Sequence, residues 1–401
     1  MDRAGGDVSN VKALPKKYRL NRKKDNSTVP EREEDFTDGG SAVISEMFPD
    51  AKEWYEGEYE EECVYDEYKR YHNKKSLVDE DALPKCVLTV EEAGKCLTRI
   101  GQVAGSFDYA FLQIDAVCRE LTNIEVIPSF KFLSFVNVSC NYLDLEALDV
   151  LKGLENALII YADHNSVESL HLTSMPYLKV LTLNFNRVSS LSGLKQPSLE
   201  CLSLNENHIT TIVKKPEDDT SFKEGYFNGI DCPKLIALSI CKNTLTSMEN
   251  ISLVSTKLRI LYLRSNKIVT LKGIEGLVNL KRLHLRCNCI SNLNGFTDKM
   301  KNLTYLNIRE NLIANVHEIK KLKCLESLET LVVKSNGFND DDQKPGIRLD
   351  VIRILPWLKR LDKEMVTESE VMEVTYMDKS SEEEYNEQAE DEEEYLLNLA
   401  Q

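Results

Sequence analysis

The sequence predicts an α/β solenoid: a leucine-rich repeat arc of about ten repeats of ~22 residues, with a parallel sheet lining its concave side. Two observations predict it. Asn141, Asn165, Asn186, Asn207, Asn243, Asn266, Asn288, Asn311 and Asn336 each sit in the frame LxxLxLxxNxL or a near variant, as in Leu178-x-x-Leu181-x-Leu183-x-x-Asn186-x-Val188. Successive asparagines stand 24, 21, 21, 36, 23, 22, 23 and 25 residues apart, and self-similarity at a fixed short period marks a repeat array.

The residue types follow from the geometry such a frame imposes. Alternation in LxL places both leucines of a short strand on one face, toward the core. The chain must then turn sharply, leaving backbone N–H and C=O groups facing inward. An asparagine amide carries donors and an acceptor and is expected to satisfy neighbours above and below it in the stack. Leaving such groups unpaired would cost roughly 1–3 kcal/mol each. The asparagines are therefore read as scaffold.

In chain order, residues 1–84 show no apolar periodicity. A basic patch (Lys12, Lys16, Lys17, Arg19, Arg22, Lys23, Lys24) precedes an acidic stretch from Glu31 to Glu67 with interleaved Trp54, Tyr55, Tyr59, Tyr65 and Tyr68. A disordered arm is expected there. Residues 85–125 should form an amino-terminal cap and a degenerate first repeat. Thr89-x-x-Glu92 fits a capping box, with Ala93, Cys96, Leu97, Ile100 and Val103 on one helical face. Arg119 stands where the asparagine of that first repeat would be.

Residues 126–345 carry the nine asparagine repeats, joined by short Gly-marked segments that suit tight or 3₁₀ turns. The gap of 36 implies an insertion at 213–229, and insertions in repeat arrays map to loops. Residues 346–364 read as a carboxy-terminal cap, with a helix over Ile347–Leu355 followed by Pro356-Trp357-Leu358. The Glu-rich segment 365–401 is expected to be disordered.

Composition narrows function. The net charge of −16 opposes nucleic-acid affinity for the whole chain. The 11 cysteines are scattered without a CxxC pair, no secretory signal opens the chain, and no run of about eighteen apolar residues offers a membrane span. Reduced thiols in an intracellular, cytoplasmic protein are expected. No phosphate loop, nucleophile elbow or HExxH helix occurs, and the 6 histidines are dispersed. The reading is of no enzyme, no cofactor, no metal and no small-molecule substrate. His164, beside Asp163, is read as a repeat-surface histidine.

One inference about a site does follow. The position after the second close leucine reads Ser139, Asp163, Asn184, Asn205, Cys241, Arg264, Arg286, Arg309 and Lys334. The first five are neutral or acidic and the last four basic, all expected to point outward. The adjoining positions add Tyr262, His284, Asn307, Arg282 and Tyr305. Strands about 4.8 Å apart would make these one stripe. Stacked like charges repel, so the stripe should meet something acidic, either a protein partner or this chain's own Glu-rich tail. The predicted partner-binding residues are Tyr262, Arg264, Arg282, His284, Arg286, Tyr305, Arg309 and Lys334. Arginine with tyrosine also suits RNA, which the acidic tails oppose.

The repeat type resembles the class of phosphatase-regulating and splicing-factor repeat proteins, and a nuclear or phosphatase-regulatory adaptor is the alternative function. A closer resemblance is to the leucine-rich repeat-containing protein 23 family. It is carried by Glu120-Leu-Thr-Asn-Ile124, Ser192-Gly-Leu-Lys-Gln-Pro-Ser-Leu-Glu200, Asn294-Gly-Phe-Thr-Asp-Lys-Met-Lys-Asn-Leu303, Tyr305-Leu-Asn-Ile-Arg309, Asn311-Leu-Ile-Ala-Asn315 and Arg360-Leu-Asp-Lys-Glu364. It covers about residues 90–365 and departs in the amino-terminal arm and the insertion. The resemblance implies a non-enzymatic component of the cilium or flagellum axoneme, associated with the head of the third radial spoke and supporting motility. It supplies no catalytic residues.

Overall fold

A computed structural model describes residues 85–102, 108–213, 229–339 and 346–377. The arm at 1–84, the body of the insertion and the segment 378–401 lie outside the described residues.

The chain enters through α1 (Val90–Cys96), opened by the capping box between Thr89 and Glu92, with Ala93 and Cys96 buried against the first repeat. The predicted helical face runs past the helix. Leu97 is extended and bridges antiparallel to Ile114, so it covers the first sheet edge directly. Ile100, expected to be core-facing, is exposed in a two-stranded antiparallel ribbon of β1 (Ile100–Gln102) and β2 (Tyr109–Phe111). Gly101, weak in a helix, lies in that ribbon, and Val103 lies outside the described residues.

The repeats then stack. The strands are β3 (Gln113–Asp115), β4 (Phe135–Asn137), β5 (Ile159–Tyr161), β6 (Val180–Thr182), β7 (Cys201–Ser203), β8 (Ala237–Ser239), β9 (Ile260–Tyr262), β10 (Arg282–His284), β11 (Tyr305–Asn307) and β12 (Thr330–Val332). They pair in parallel in strict sequence order, followed by β13 (Arg360–Leu361) and an antiparallel β14 (Glu364–Met365). The middle residue of each three-residue strand and the residue two further on enter the core. Leu181 and Leu183, Leu261 and Leu263, and Leu306 and Ile308 are all fully buried. Each buried leucine contributes about 2 kcal/mol. The return segments are 3₁₀ turns such as Ile127–Ser129, Ile251–Leu253 and Ile274–Gly276, with one short helix, α2 (Leu145–Asp149). Gly273 has a φ of 103°, and a Cβ there would collide with the Met248 carbonyl.

The nine asparagines are at most 7 % exposed, and their bonding has a direction. Asn186 Oδ1 accepts from Val167 N at 3.0 Å, while Nδ2 donates to Ala162 O at 3.0 Å and Asn184 O at 3.1 Å. Asn288 repeats the pattern with Ile268 N, Leu263 O and Leu285 O. Each amide therefore grips the preceding repeat and its own turn. The expectation of bonds both above and below is corrected, because the carbonyl oxygen is committed to one amide of the preceding turn.

The residue before every asparagine is left-handed without being glycine: Cys140, His164, Phe185, Glu206, Lys242, Ser265, Cys287, Glu310 and Ser335 have φ between 53° and 59°. That conformation costs roughly 1–2 kcal/mol at each rung, and the asparagine bonds offset it. Cys118 has a φ of 55°, and Asn141 Oδ1 accepts from both Arg119 N and Leu121 N. The Arg119 turn thus has the rung conformation without the rung amide.

Around the insertion the array stays in register. β7 pairs with β8, and Gly193 N donates to Gly229 O at 3.0 Å. The described residues that flank the insertion, Ile212 and Gly229, both accept from the return segment, at Leu191 N and Gly193 N.

The carboxy-terminal end is more ordered than its composition suggests. After α3 (Ile347–Ile354), Asp362 Oδ1 accepts from Val333 N at 2.7 Å and Lys334 N at 2.9 Å, closing the last free strand amides. The expectation of disorder from Met365 is corrected: residues 368–377 are helical. Thr367 and Glu370 form a reciprocal cap, Val374 is buried, and Arg348 pairs with Glu370 while donating to Leu361 O. Glu370 is held at about 2 by the Arg348 guanidinium. Glutamate is here a cap and an ion-pair partner as well as a solubilising residue.

Replacing Asn186 by Leu leaves Val167 N unpaired in the core, at roughly 1–3 kcal/mol, while Ala162 O keeps its bond from Asn165 Nδ2 at 3.1 Å. Denaturant unfolding should show a loss of about 1–3 kcal/mol, with the Val167 amide among the first to lose hydrogen-exchange protection. An unchanged midpoint would contradict the directional ladder.

Candidate interaction surface

The first and third residues of each strand, and the residue two beyond, form three columns on the face of the sheet opposite the core. Register fixes them: Ile260, Arg282, Tyr305 and Thr330 align, as do Tyr262, His284, Asn307 and Val332.

The first half of the last column differs from its expected role. Ser139 Oγ accepts from Asp163 N at 3.2 Å. Asp163 Oδ1 accepts from Asn184 N at 2.8 Å. Asn184 Oδ1 takes Asn205 N at 2.8 Å and Ser203 Oγ at 2.7 Å, and Asn205 Oδ1 takes Cys241 N and Ser239 Oγ, both at 2.7 Å. These side chains form a second ladder, bonded forward to the following repeat. They are short acceptors tied to backbone amides, and Ser139 is only 2 % exposed. The column lies on the open face as expected, but in its first half these side chains bond the next repeat's backbone. Burial raises the Asp163 carboxyl to about 6, against the opposing hydrogen bond from Asn184 N. Burial likewise raises Cys201, to about 12, and Cys241.

His164 is also corrected. It is 4 % exposed and stacks on Phe185 with ring centroids 4.0 Å apart and 10° between planes. The left-handed turn carries successive rung residues into contact, a neighbourhood that pattern reading could not supply.

Beyond Cys241 the column changes chemistry. A guanidinium has no acceptor, so Arg264, Arg286 and Arg309 cannot continue the forward ladder. The structure brings the predicted stripe together on four adjacent strands. Tyr262, His284 and Tyr305 form a continuous ring column with centroids 4.6 Å and 4.7 Å apart, and the Arg282 guanidinium lies 5.8 Å from the Tyr305 centroid. Burial and, second, the Arg282 charge lower His284 to about 4. It is a neutral ring at physiological pH, so the positive charge resides in Arg264, Arg282, Arg286, Arg309 and Lys334.

The stripe contains an acid that the column reading missed. Glu310, in the left-handed position before Asn311, bonds Arg286 through both oxygens (Oε1–Nη2 2.9 Å, Oε2–Nε 3.3 Å) and accepts from Cys287 Sγ. Arg309 Nε lies 3.0 Å from Oε1, near enough for ion pairing but off the hydrogen-bond direction. The Arg286 hydrogen bonds, followed by that from Cys287, hold the Glu310 carboxyl below its usual value. The expectation that repulsion demands an outside acid is corrected for these two rungs, since Glu310 supplies one from within. It was visible as the residue between Arg309 and Asn311. Lys334 is exposed, and Arg264 Nε is buried without a hydrogen-bond partner among the described residues. Among those residues no cluster of His, Cys, Asp or Glu is placed to hold a metal ion, and no helix is long and apolar enough to cross a membrane.

Comparison with known proteins agrees with the repeat frame. The family model described as leucine rich repeats (2 copies) matches residues 256–298, across β9 and β10. The Homo sapiens leucine-rich repeat-containing protein 23 is 32 % identical over 289 residues, covering 71 % of this chain and 77 % of that protein. The Bos taurus protein of the same name is 31 % identical over 305 residues, with the same coverages. Among solved structures, an internalin of Listeria monocytogenes is similar with a TM-score of 0.35 and 17 % identity, covering 64 % of this chain and 84 % of that one.

The Asp163 shift gives a pH test. Its folded value lies above the unfolded 3.8, so its stabilising contribution is complete below pH 3.8 and is lost as pH rises through about 6. Asp163→Asn keeps an acceptor for Asn184 N and removes the ionisation. The variant should exceed the native chain in stability at pH 8 by about 1–2 kcal/mol, below the roughly 3 kcal/mol of a fully buried two-unit shift. The difference should vanish near pH 4. Equal unfolding midpoints at pH 8 would contradict the burial of this carboxyl.

Proposed function

The chain belongs to the leucine-rich repeat-containing protein 23 family, and from that premise we propose that it is a non-enzymatic scaffold of the axonemal radial spoke. In this reading it sits in the head of the third spoke and supports ciliary or sperm flagellar motility. A protein-interaction scaffold is what the family and the repeat array support together. The axonemal assignment rests on what the family resemblance implies.

The observation that carries the docking surface is the ring column Tyr262–His284–Tyr305 set among five cations and a single glutamate. Stacked rings offer a rigid apolar strip at low entropic cost, and the surrounding guanidinium groups select carboxylates by bidentate bonding. That combination fits an acidic protein surface, which we assign to a neighbouring spoke subunit. The frame presents the surface because four parallel strands place the same position of each repeat side by side.

The geometry also selects the test. Arg286 and Arg309 are engaged by Glu310, so reversing them would set glutamates against a glutamate and strain the fold. Arg264 and Lys334 have no ion pair among the described residues. The tagged full chain, expressed in a flagellated cell, should concentrate along the axoneme. With Arg264→Glu and Lys334→Glu it should keep a thermal midpoint within about 2 °C and lose axonemal retention. A native chain absent from the axoneme overturns the spoke reading. Undiminished retention of the double variant overturns the docking surface.

A further inference from the structure

Any occupant of the basic rungs must supply several carboxylates across four adjacent strands, and the sequence of this chain contains such a segment. Residues 378–401 contain ten acids and one lysine, with the sequence Glu-Glu-Glu-Tyr twice, at Glu382–Tyr385 and Glu392–Tyr395. The described chain leads up to this segment at the basic end of the sheet. β13 is the neighbour of β12, the strand that precedes Lys334, and the helix ending at residue 377 packs on the same cap through Val374 and Glu370. We propose that the segment 378–401 binds the basic rungs of its own chain, as a built-in competitor for the acidic partner. This inference rests on the docking surface described above and names its resident ligand.

Reach and chemistry support it. Twenty-four residues span up to ~80 Å when extended, whereas the four strands from β12 back to β9 occupy about 15–20 Å. The first acid, Asp378, follows the last described residue directly. The rival acidic stretch, Glu31–Glu67, joins at the far end of the sheet, six strands from β9 and a further eighteen residues from the start of the described chain. Effective concentration falls with tether length, so the carboxy-terminal segment has the advantage. Its glutamates match the exposed Lys334 and the half-buried Arg264, neither of which has an ion pair among the described residues. Its tyrosines can extend the Tyr262–His284–Tyr305 column by ring stacking. A partner must then displace the segment, and its apparent affinity falls by the fraction of chains whose rungs are open.

The test keeps the chain full length. A fluorescent synthetic peptide of residues 378–401 is titrated into the native chain and into a chain with Glu382→Gln, Glu383→Gln, Glu384→Gln, Glu392→Gln, Glu393→Gln and Glu394→Gln. The neutralised chain should bind the peptide at least about tenfold more tightly than the native one. That binding should weaken with salt and fall again on adding Arg264→Glu and Lys334→Glu. In the native monomer, zero-length carbodiimide coupling should join the Lys334 amine to one of the six glutamates. Equal peptide affinity for native and neutralised chains overturns the proposal, as does coupling of Lys334 to residues 31–67 instead. If the peptide competition holds while the native chain is absent from the axoneme, the spoke reading alone falls.

Discussion

The structure depends on one side-chain amide reaching backward. Each rung asparagine takes an N–H from the preceding turn and gives its own hydrogens to carbonyls of that repeat and its own. A strand of three residues cannot hold a register by its own ladder, and the sharp turn after it leaves inward-facing backbone groups that no water can reach. The amide resolves both problems together. It also explains why the residue before it tolerates a left-handed conformation at all nine rungs without a glycine. Strain there is local, and the hydrogen bonds that oppose it are buried.

A second ladder runs the other way over the first half of the array. Ser139, Asp163, Asn184 and Asn205 each accept an amide from the following repeat. Between them the two ladders tie every early repeat to both neighbours through side chains. The forward ladder stops at Cys241, and from Arg264 the same position carries long cations with no acceptor to offer. The array therefore divides by chemistry, with a half tied together by short acceptors and a half that carries long cations suited to carboxylates. Glu310 moderates the second half from within, holding Arg286 and Arg309 in place so that the charge is ordered as well as concentrated.

Much of this was legible in the sequence, and what was not has physical causes. The solenoid and its strands were readable because a period near 22 and an LxL alternation are direct consequences of the stack. The register of Tyr262 with His284, and of Arg282 with Tyr305, followed from counting back from each asparagine, whereas the diagonal contact of Tyr305 with His284 did not. The direction of the asparagine bonds was not legible, since an amide has partners to offer on either side and only the turn geometry chooses. The forward ladder was missed because alternation alone assigns Asp163 and Asn184 to the open face, without revealing that a short acceptor there can fold onto the next backbone amide. Glu310 was missed because it belongs to the turn column, which the strand frame does not count. The helix at 368–377 was missed because glutamate content suggested solvation, whereas Thr367, Glu370 and Val374 supply a cap, an ion pair and a buried contact.

The open face of the last four rungs is the proposed docking surface for an acidic protein, with the axoneme as the proposed setting. The most direct measurement places a photo-crosslinking amino acid at Tyr305, on that face, and separately at Lys320, on a return segment of the same region, in the full chain assembled in intact flagella. A protein adduct is expected from position 305, and little or none from position 320. Adducts from position 320 with none from position 305 would contradict it.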